Sequence, residues 1–182
     1  MKQVISSCSN KTCRAVKRLD LPLSQADIEG LKPGDRIEIF GNIYTGRDAV
    51  LPKIVADIEN GQALPVDIDL QGSAIFHTAV SPAGVGPTSS NKQEIEESIA
   101  PLSAAGVKLH LGKGALSPST VEALAVNKSL YAVLPPVTAL LQSKIKAVEL
   151  VAYPEEGMEA FHKLTVEGFP AIIAVAHGKT LY

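Results

Sequence analysis

The 182-residue sequence has no tryptophan, and its aromatic share is only 4%, from four tyrosines and four phenylalanines. Stacking platforms for single-stranded nucleic acid need several exposed rings, so that function is not expected and the few rings are assigned to the core. Cysteine is as scarce: Cys8 and Cys13 stand alone in CSNKTC, where four residues separate them instead of the two of redox and zinc motifs. Two thiols cannot complete a four-cysteine metal site, and they read as free thiols or an incidental disulfide on an N-terminal arm. Long apolar runs are also missing. The best, Ala171 to Ala176, is six residues, against the ~18 that suggest a membrane span. The N-terminus is basic (Lys2, Lys11, Arg14, Lys17, Arg18), yet only Val4 and Ile5 precede the polar SSCSNKTC. A secretory signal would need a longer apolar region, so a cytoplasmic protein is expected. Charge of one sign is lacking too: a formal net charge of −2 offers no general attraction to nucleic acid or to an anionic membrane.

What is present is a globular composition, 46% hydrophobic and 20% charged, on a length that suits one domain with a substantial core. Residues 1–20 read as a basic arm and 21–182 as a single domain. Ser24 with Asp27 has the spacing of a helix cap, and the turn Lys32-Pro33-Gly34-Asp35 ends that helix. RIEIFGNIYTG alternates Ile37 and Ile39 with Arg36 and Glu38, the period of a half-buried strand. Asp48 is placed to cap a helix reaching about Glu59. AIFHTAV reads as a strand, and SPAGVGPTSSN as the Gly/Pro/Ser-rich loop that bounds it. Asn91 with Glu94 opens a helix that Gly106 closes. VKLHL, SLYAVL, KAVELVAY and PAIIAVAHG read as strands, with helices after Ser117-Pro118 and in PPVTALLQSK. Strands alternating with helices predict an α/β fold.

Standard chemical motifs are absent. In GVKLHLGKGAL five residues, not four, separate Gly106 from Gly112, and no Ser or Thr follows Lys113, so it is no P-loop. GVGPTSS lacks the third glycine of a dinucleotide fingerprint, and no GxSxG or HExxH occurs. His77, His110, His162 and His177 are far apart in sequence, and each alone reads as a structural residue; metal binding by this chain alone is not expected.

Three loops at predicted strand ends each set small residues beside one positive charge. They are Tyr44-Thr45-Gly46-Arg47-Asp48, Gly86-Pro87-Thr88-Ser89-Ser90-Asn91-Lys92 and Gly112-Lys113-Gly114. In open α/β folds such loops line the binding crevice. Arginine clamps a carboxylate with two donors, lysine adds a point charge, and hydroxyls complete the cradle. The residues therefore point to a site for a small di-anion. Each loop taken singly is equally explained as turn chemistry with a solvated charge.

The same loops carry a resemblance. GDRIEIFGNIYTGRDA (34–49), DLQG (69–72), GPTSS (86–90), GKG (112–114), IKAVELVAYPEEGMEAF (145–161) and LTVEGFPAIIAV (164–175) resemble, in that order, the β subunit of class I fumarate hydratase and L(+)-tartrate dehydratase. The matching C-terminal domain of single-chain enzymes of that iron-sulfur hydro-lyase family is similar as well. The resemblance implies a swivelling β/β/α domain that closes over substrate bound to an α subunit. That subunit would carry a four-iron, four-sulfur cluster on three cysteines, its open iron acting as a Lewis acid on the substrate hydroxyl. The reaction implied is hydration or dehydration of a small dicarboxylate, fumarate or malate ahead of tartrate, in a homodimer or higher oligomer, with no nucleic acid or membrane involved.

By the same resemblance Arg47 is the substrate-binding arginine, Thr88 a group for proton transfer at carbon, and Lys113 the charge that activates it while contacting substrate. Ser89 keeps a hydroxyl where the family has a second threonine, and Lys92 keeps charge where the family places an arginine. Asp48 is expected to cap its helix or to orient Arg47. Leu51 stands where the family usually has a histidine, Pro135-Pro136 where a Gly-Gly pair is usual, His77-Thr78 where a Gly-Pro is usual, and His177 where an aspartate is common. The alternative implied by these departures is a non-catalytic partner subunit of the same fold, or one acting on another hydroxy acid.

Overall fold

In the computed structural model, residues 15–65, 68–88 and 92–182 are described. In chain order they form β1 (Lys17–Asp20), α1 (Gln25–Glu29), β2 (Arg36–Thr45), α2 (Leu51–Glu59), β3 (Ala74–Phe76), β4 (Thr78–Ser81), β5 (Gly84–Thr88) and α3 (Lys92–Ala104). There follow β6 (Leu109–Gly112), α4 (Pro118–Val126), β7 (Leu130–Val133), α5 (Thr138–Ser143), β8 (Ile145–Ala152), a 3-10 turn (Pro154–Glu159), β9 (Phe161–Ala176) and β10 (Lys179–Thr180).

Strands β2, β3, β6 and β7 lie side by side and parallel. The long β9 runs antiparallel to β7 on one flank and to β2 on the other, so these five strands close into a ring. Strand β1 adds in parallel to β2, while β8 and β10 add antiparallel to β9. The result is a mixed α/β fold around a small barrel. Period-two alternation sends Ile37, Ile39, Phe76, Leu109, Leu111 and Phe169 into the barrel interior, all buried. The outward side chains are covered by helices. Tyr44, Leu51, Ile54 and Phe161 pack together beneath α2, and Ile99, Leu124 and Tyr131 do so beneath α3 and α4.

Local signals explain several boundaries. Ser24 caps α1 through a complete capping box with Asp27. Ser117 caps α4, and Pro118 follows it at the first helical position, where its missing N–H costs nothing. Other expectations are corrected. Lys17–Asp20 are not part of the arm but pair with β2; residues 1–14, with Cys8 and Cys13, lie outside the described residues, as does Asn91. Asp48 does not cap α2: the cap position is Val50, and no side chain bonds to the helix start. AIFHTAV is two strands, divided at His77. β3 belongs to the barrel, whereas β4 pairs with β5 in a two-stranded hairpin built from the segment read as a loop. The stretches LTVEGF and PAIIAVAHG belong to one strand, β9, 16 residues long.

Candidate functional site

Because β2, β3, β6 and β7 are parallel, their C-terminal ends share one end of the barrel, and each leads into a loop there. β2 gives Gly46-Arg47-Asp48, β3 gives His77 and the β4–β5 hairpin, β6 gives Lys113-Gly114, and β7 gives Leu134-Pro135-Pro136. Loops at this end of parallel strands are the usual place for a ligand.

A cavity of about 200 Å³ opens there, lined by Phe76, Gly86, Lys113, Pro135, Pro136 and Leu141 among others. It brings Lys113 together with the strand that carries Gly86, Pro87 and Thr88. The backbone at Lys113 is fixed, because the Tyr131 hydroxyl donates to the Lys113 carbonyl at 2.8 Å. Thr88 ends β5 opposite Thr78, the residue after His77; Thr88 and Lys92 are described in the backbone alone, and Ser89 lies outside the described residues.

Arg47 is held on the neighbouring strand end instead of on that cavity wall. Its Nη1 lies 3.4 Å from Glu159 Oε1 and its Nη2 lies 3.6 Å from Asp48 Oδ2. Glu159 is a residue that sequence reasoning missed: its other oxygen accepts from the Ala49 amide at 3.3 Å, so one carboxylate braces both the guanidinium and the turn after it. The GMEA stretch held the available signal, an acidic side chain in a motif that accompanies TGRD. Asp48 lies beside Arg47 and does not cap the helix.

The turn is packed from below by Leu51. This side chain is 1% exposed, and a Cβ on Gly46 would lie 2.6 Å from Leu51 Cδ2, so the turn can approach α2 only because residue 46 is glycine.

The histidines sort into two kinds. His162 Nδ1 donates to the Ala160 carbonyl at 2.8 Å and His177 Nε2 to that of Leu31 at 3.2 Å, which are structural roles. His77 and His110, read as isolated, instead meet: His77 Nε2 is 3.2 Å from His110 Nδ1, and His110 Nε2 is 2.9 Å from Ser103 Oγ. Burial lowers His77 to about 4, and burial together with the neighbouring His77 puts His110 well below the usual histidine range. Both are neutral at physiological pH.

Among the described residues, four buried side-chain polar atoms lack a hydrogen-bond partner: Thr45 Oγ1, Arg47 Nε, Asp48 Oδ1 and His77 Nδ1. All four belong to the adjoining ends of β2 and β3. An unmet buried polar atom costs ~1 to 3 kcal/mol, and such a concentration is typical of a site whose remaining contacts come from a ligand or a partner. No group of three or more His, Cys, Asp or Glu among the described residues is placed to hold a metal ion, and no described helix is long and apolar enough to cross a membrane.

Comparison with known proteins gives this end of the barrel its context. The L(+)-tartrate dehydratase subunit beta of Escherichia coli K12 is 30% identical over 178 residues, spanning 91% of this chain and 86% of that one. The aerobic class I fumarate hydratase of the same strain is 32% identical over 170 residues, and its anaerobic counterpart is 32% identical over 169. The chain spans about a third of the length of these fumarate hydratases, 30% in each case. The family model described as Fumarase C-terminus matches residues 2–182, and the chain belongs to that family.

Proposed function

We propose that the chain is the β subunit of an iron-sulfur hydro-lyase, which with a cluster-bearing α subunit hydrates or dehydrates a small dicarboxylate, fumarate or malate first and tartrate next. The observation that carries this reading is the clustering of Arg47, Lys113 and the four unpartnered polar atoms at one end of the barrel. Agreement along most of a tartrate dehydratase β subunit supports it. The full chain has two cysteines, Cys8 and Cys13, one short of the three thiolates that a cluster of this family takes, so the chain alone does not fit one. The cluster is therefore assigned to the partner, and cytoplasmic location and a homodimeric or larger assembly belong to the same proposal.

This chain's own part is binding and proton handling. Arg47, braced by Glu159 and Asp48, offers its guanidinium to one substrate carboxylate, and Lys113 offers its ammonium from the adjoining cavity. Thr88 is assigned to the proton at carbon. A hydroxyl is a weak base, and the positive charge of Lys113 favours its deprotonated form. Ser89 and Lys92, next along the chain, complete the anion cradle. In a swivelling β/β/α arrangement these loops close over substrate as one rigid end, excluding water from everything but the reacting position.

A second reading has its own observation. Leu51, sealed under the turn, supplies no proton-transfer group there, which fits a subunit acting on a different hydroxy acid, or one with no catalytic role. One experiment separates them: the chain is purified anaerobically with its α partner and assayed on fumarate, malate and tartrate. Turnover is expected, with kcat/KM lowered about 10- to 100-fold by Arg47→Ala, equal to losing one charge-assisted hydrogen bond of ~1.5 to 3 kcal/mol. Lys113→Ala should depress turnover more than assembly. A cluster-loaded complex inert on every hydroxy diacid rejects the catalytic reading.

A further inference from the structure

Ser103, His110 and His77 run in line from helix α3 to the end of β3, and their hydrogen-bond direction can be deduced. Ser103 is 1% exposed, and among the described residues its hydroxyl meets one partner, His110 Nε2. If His110 were the donor, the serine hydrogen would be buried with no acceptor; if Ser103 donates, it is satisfied. A neutral imidazole has one donor and one acceptor nitrogen, and burial keeps both rings neutral. His110 Nε2 therefore accepts, His110 Nδ1–H donates to His77 Nε2, and His77 is left with Nδ1–H as a donor. The ring centroids are 5.5 Å apart for a nitrogen–nitrogen contact of 3.2 Å, and the planes lie within 17°, so the rings meet edge to edge as an in-plane bond does. The relay thus delivers one buried N–H to the end of β3.

His77 follows Phe76, whose carbonyl accepts from the Gly46 amide at 3.2 Å, so the ends of β3 and β2 adjoin beside His77. Of the other unpartnered atoms, Arg47 Nε is only a donor. Thr45, two residues after the interior Ile43 and paired with the interior Phe76, lies inside the barrel, whereas His77, two after the outer Ile75, lies outside. The acceptor that remains is Asp48 Oδ1.

We propose that His77 is a positioning residue of this site: fixed by His110 and Ser103, it donates Nδ1–H to Asp48 when the turn draws in around a carboxylate, and Asp48 in turn aims Arg47. The bond forms only in that drawn-in arrangement, since neither atom has a partner in the present one. The role rests on Arg47 being the carboxylate clamp.

Two measurements test it independently. In the full chain, the imidazole ¹⁵N shifts of His77 and His110 should show both rings neutral with the proton on Nδ1, and Ser103→Ala should mix the tautomers of both. A proton on Nε2 of either ring overturns the relay whether or not the protein is an enzyme. In the complex with the α partner, His77→Gln keeps a group near Nε2 and loses the one at Nδ1. It should raise KM for the dicarboxylate about tenfold while changing kcat less than about threefold. His77→Asn, which restores a donor near Nδ1, should recover most of that loss. Asp48→Ala, which removes the acceptor, should raise KM at least as much, and the double variant should be no worse than the poorer single one. An unchanged KM in His77→Gln, or effects that multiply in the double variant, overturns the positioning role. If the wild-type complex turns over no dicarboxylate, the hydro-lyase reading fails and the tautomers alone decide the relay.

Discussion

Residue 51 shows how one side chain constrains the chemistry beside it. Leu51 is packed with Tyr44, Val50, Ile54 and Phe161, and it lies where a Cβ on Gly46 would collide. Leu51→His would put an imidazole into this apolar pocket, and an uncompensated polar group there costs ~1 to 3 kcal/mol. We expect the unfolding free energy from urea denaturation to fall by that amount, seen as a lower midpoint with an unchanged m-value, and no gain in turnover. A variant as stable as the parent would mean that the pocket holds a hydrogen-bond partner for the ring. At this scale the sequence was informative about types and silent about partners. Arg47 and Lys113 stood out as charges in glycine-flanked turns, but Glu159 bracing Arg47 and His110 meeting His77 depend on contacts between distant segments.

The element that positions Lys113 is the end of β6, and its precision comes from Gly112 and Tyr131. A Cβ on Gly112 would lie 2.6 Å from the Tyr131 hydroxyl, the group that bonds to the Lys113 carbonyl. Gly112→Ala must displace the ring, with an overpacking cost of ~1 to 3 kcal/mol, and should lower kcat/KM together with stability. Tyr131→Phe removes only the bond, about 1 kcal/mol, and should affect turnover less. Equal effects of the two variants would mean that the bond, and not the close approach, sets the loop. Most elements were legible because their signals are local: the Ser24 and Ser117 caps, and the alternation of β2. The hairpin was not. Gly84, Gly86 and Pro87 read as loop residues, yet among the described residues β5 pairs with β4 alone, so a proline without an amide donor is tolerated. The division of AIFHTAV at His77 has no local signal either, since the apolar pattern runs through it.

For the molecule as a whole, barrel closure was the least legible feature. It depends on β9 pairing with both β2 and β7, and the alternation in its sequence shows two faces without naming the neighbours. Closure brings a consequence for stability, because the helix-covered outer wall buries two titratable rings. His77 titrates at about 4 in the fold and near 6.5 when unfolded, and His110 is shifted in the same direction. Below the unfolded value the unfolded chain binds protons that the folded one refuses, so stability is full above pH ~6.5 and falls as pH drops toward 4. For His77 alone the loss between pH 7 and pH 5 is about 2 kcal/mol by this linkage. His110 adds to it with the same sign, and partly buried His162, also lowered by burial, adds further. Urea unfolding at the two pH values should show this loss. In the double variant His77→Phe, His110→Leu the contribution of the pair should vanish while that of His162 remains. If parent and variant lose stability equally, the buried pair is not what makes this fold acid-sensitive.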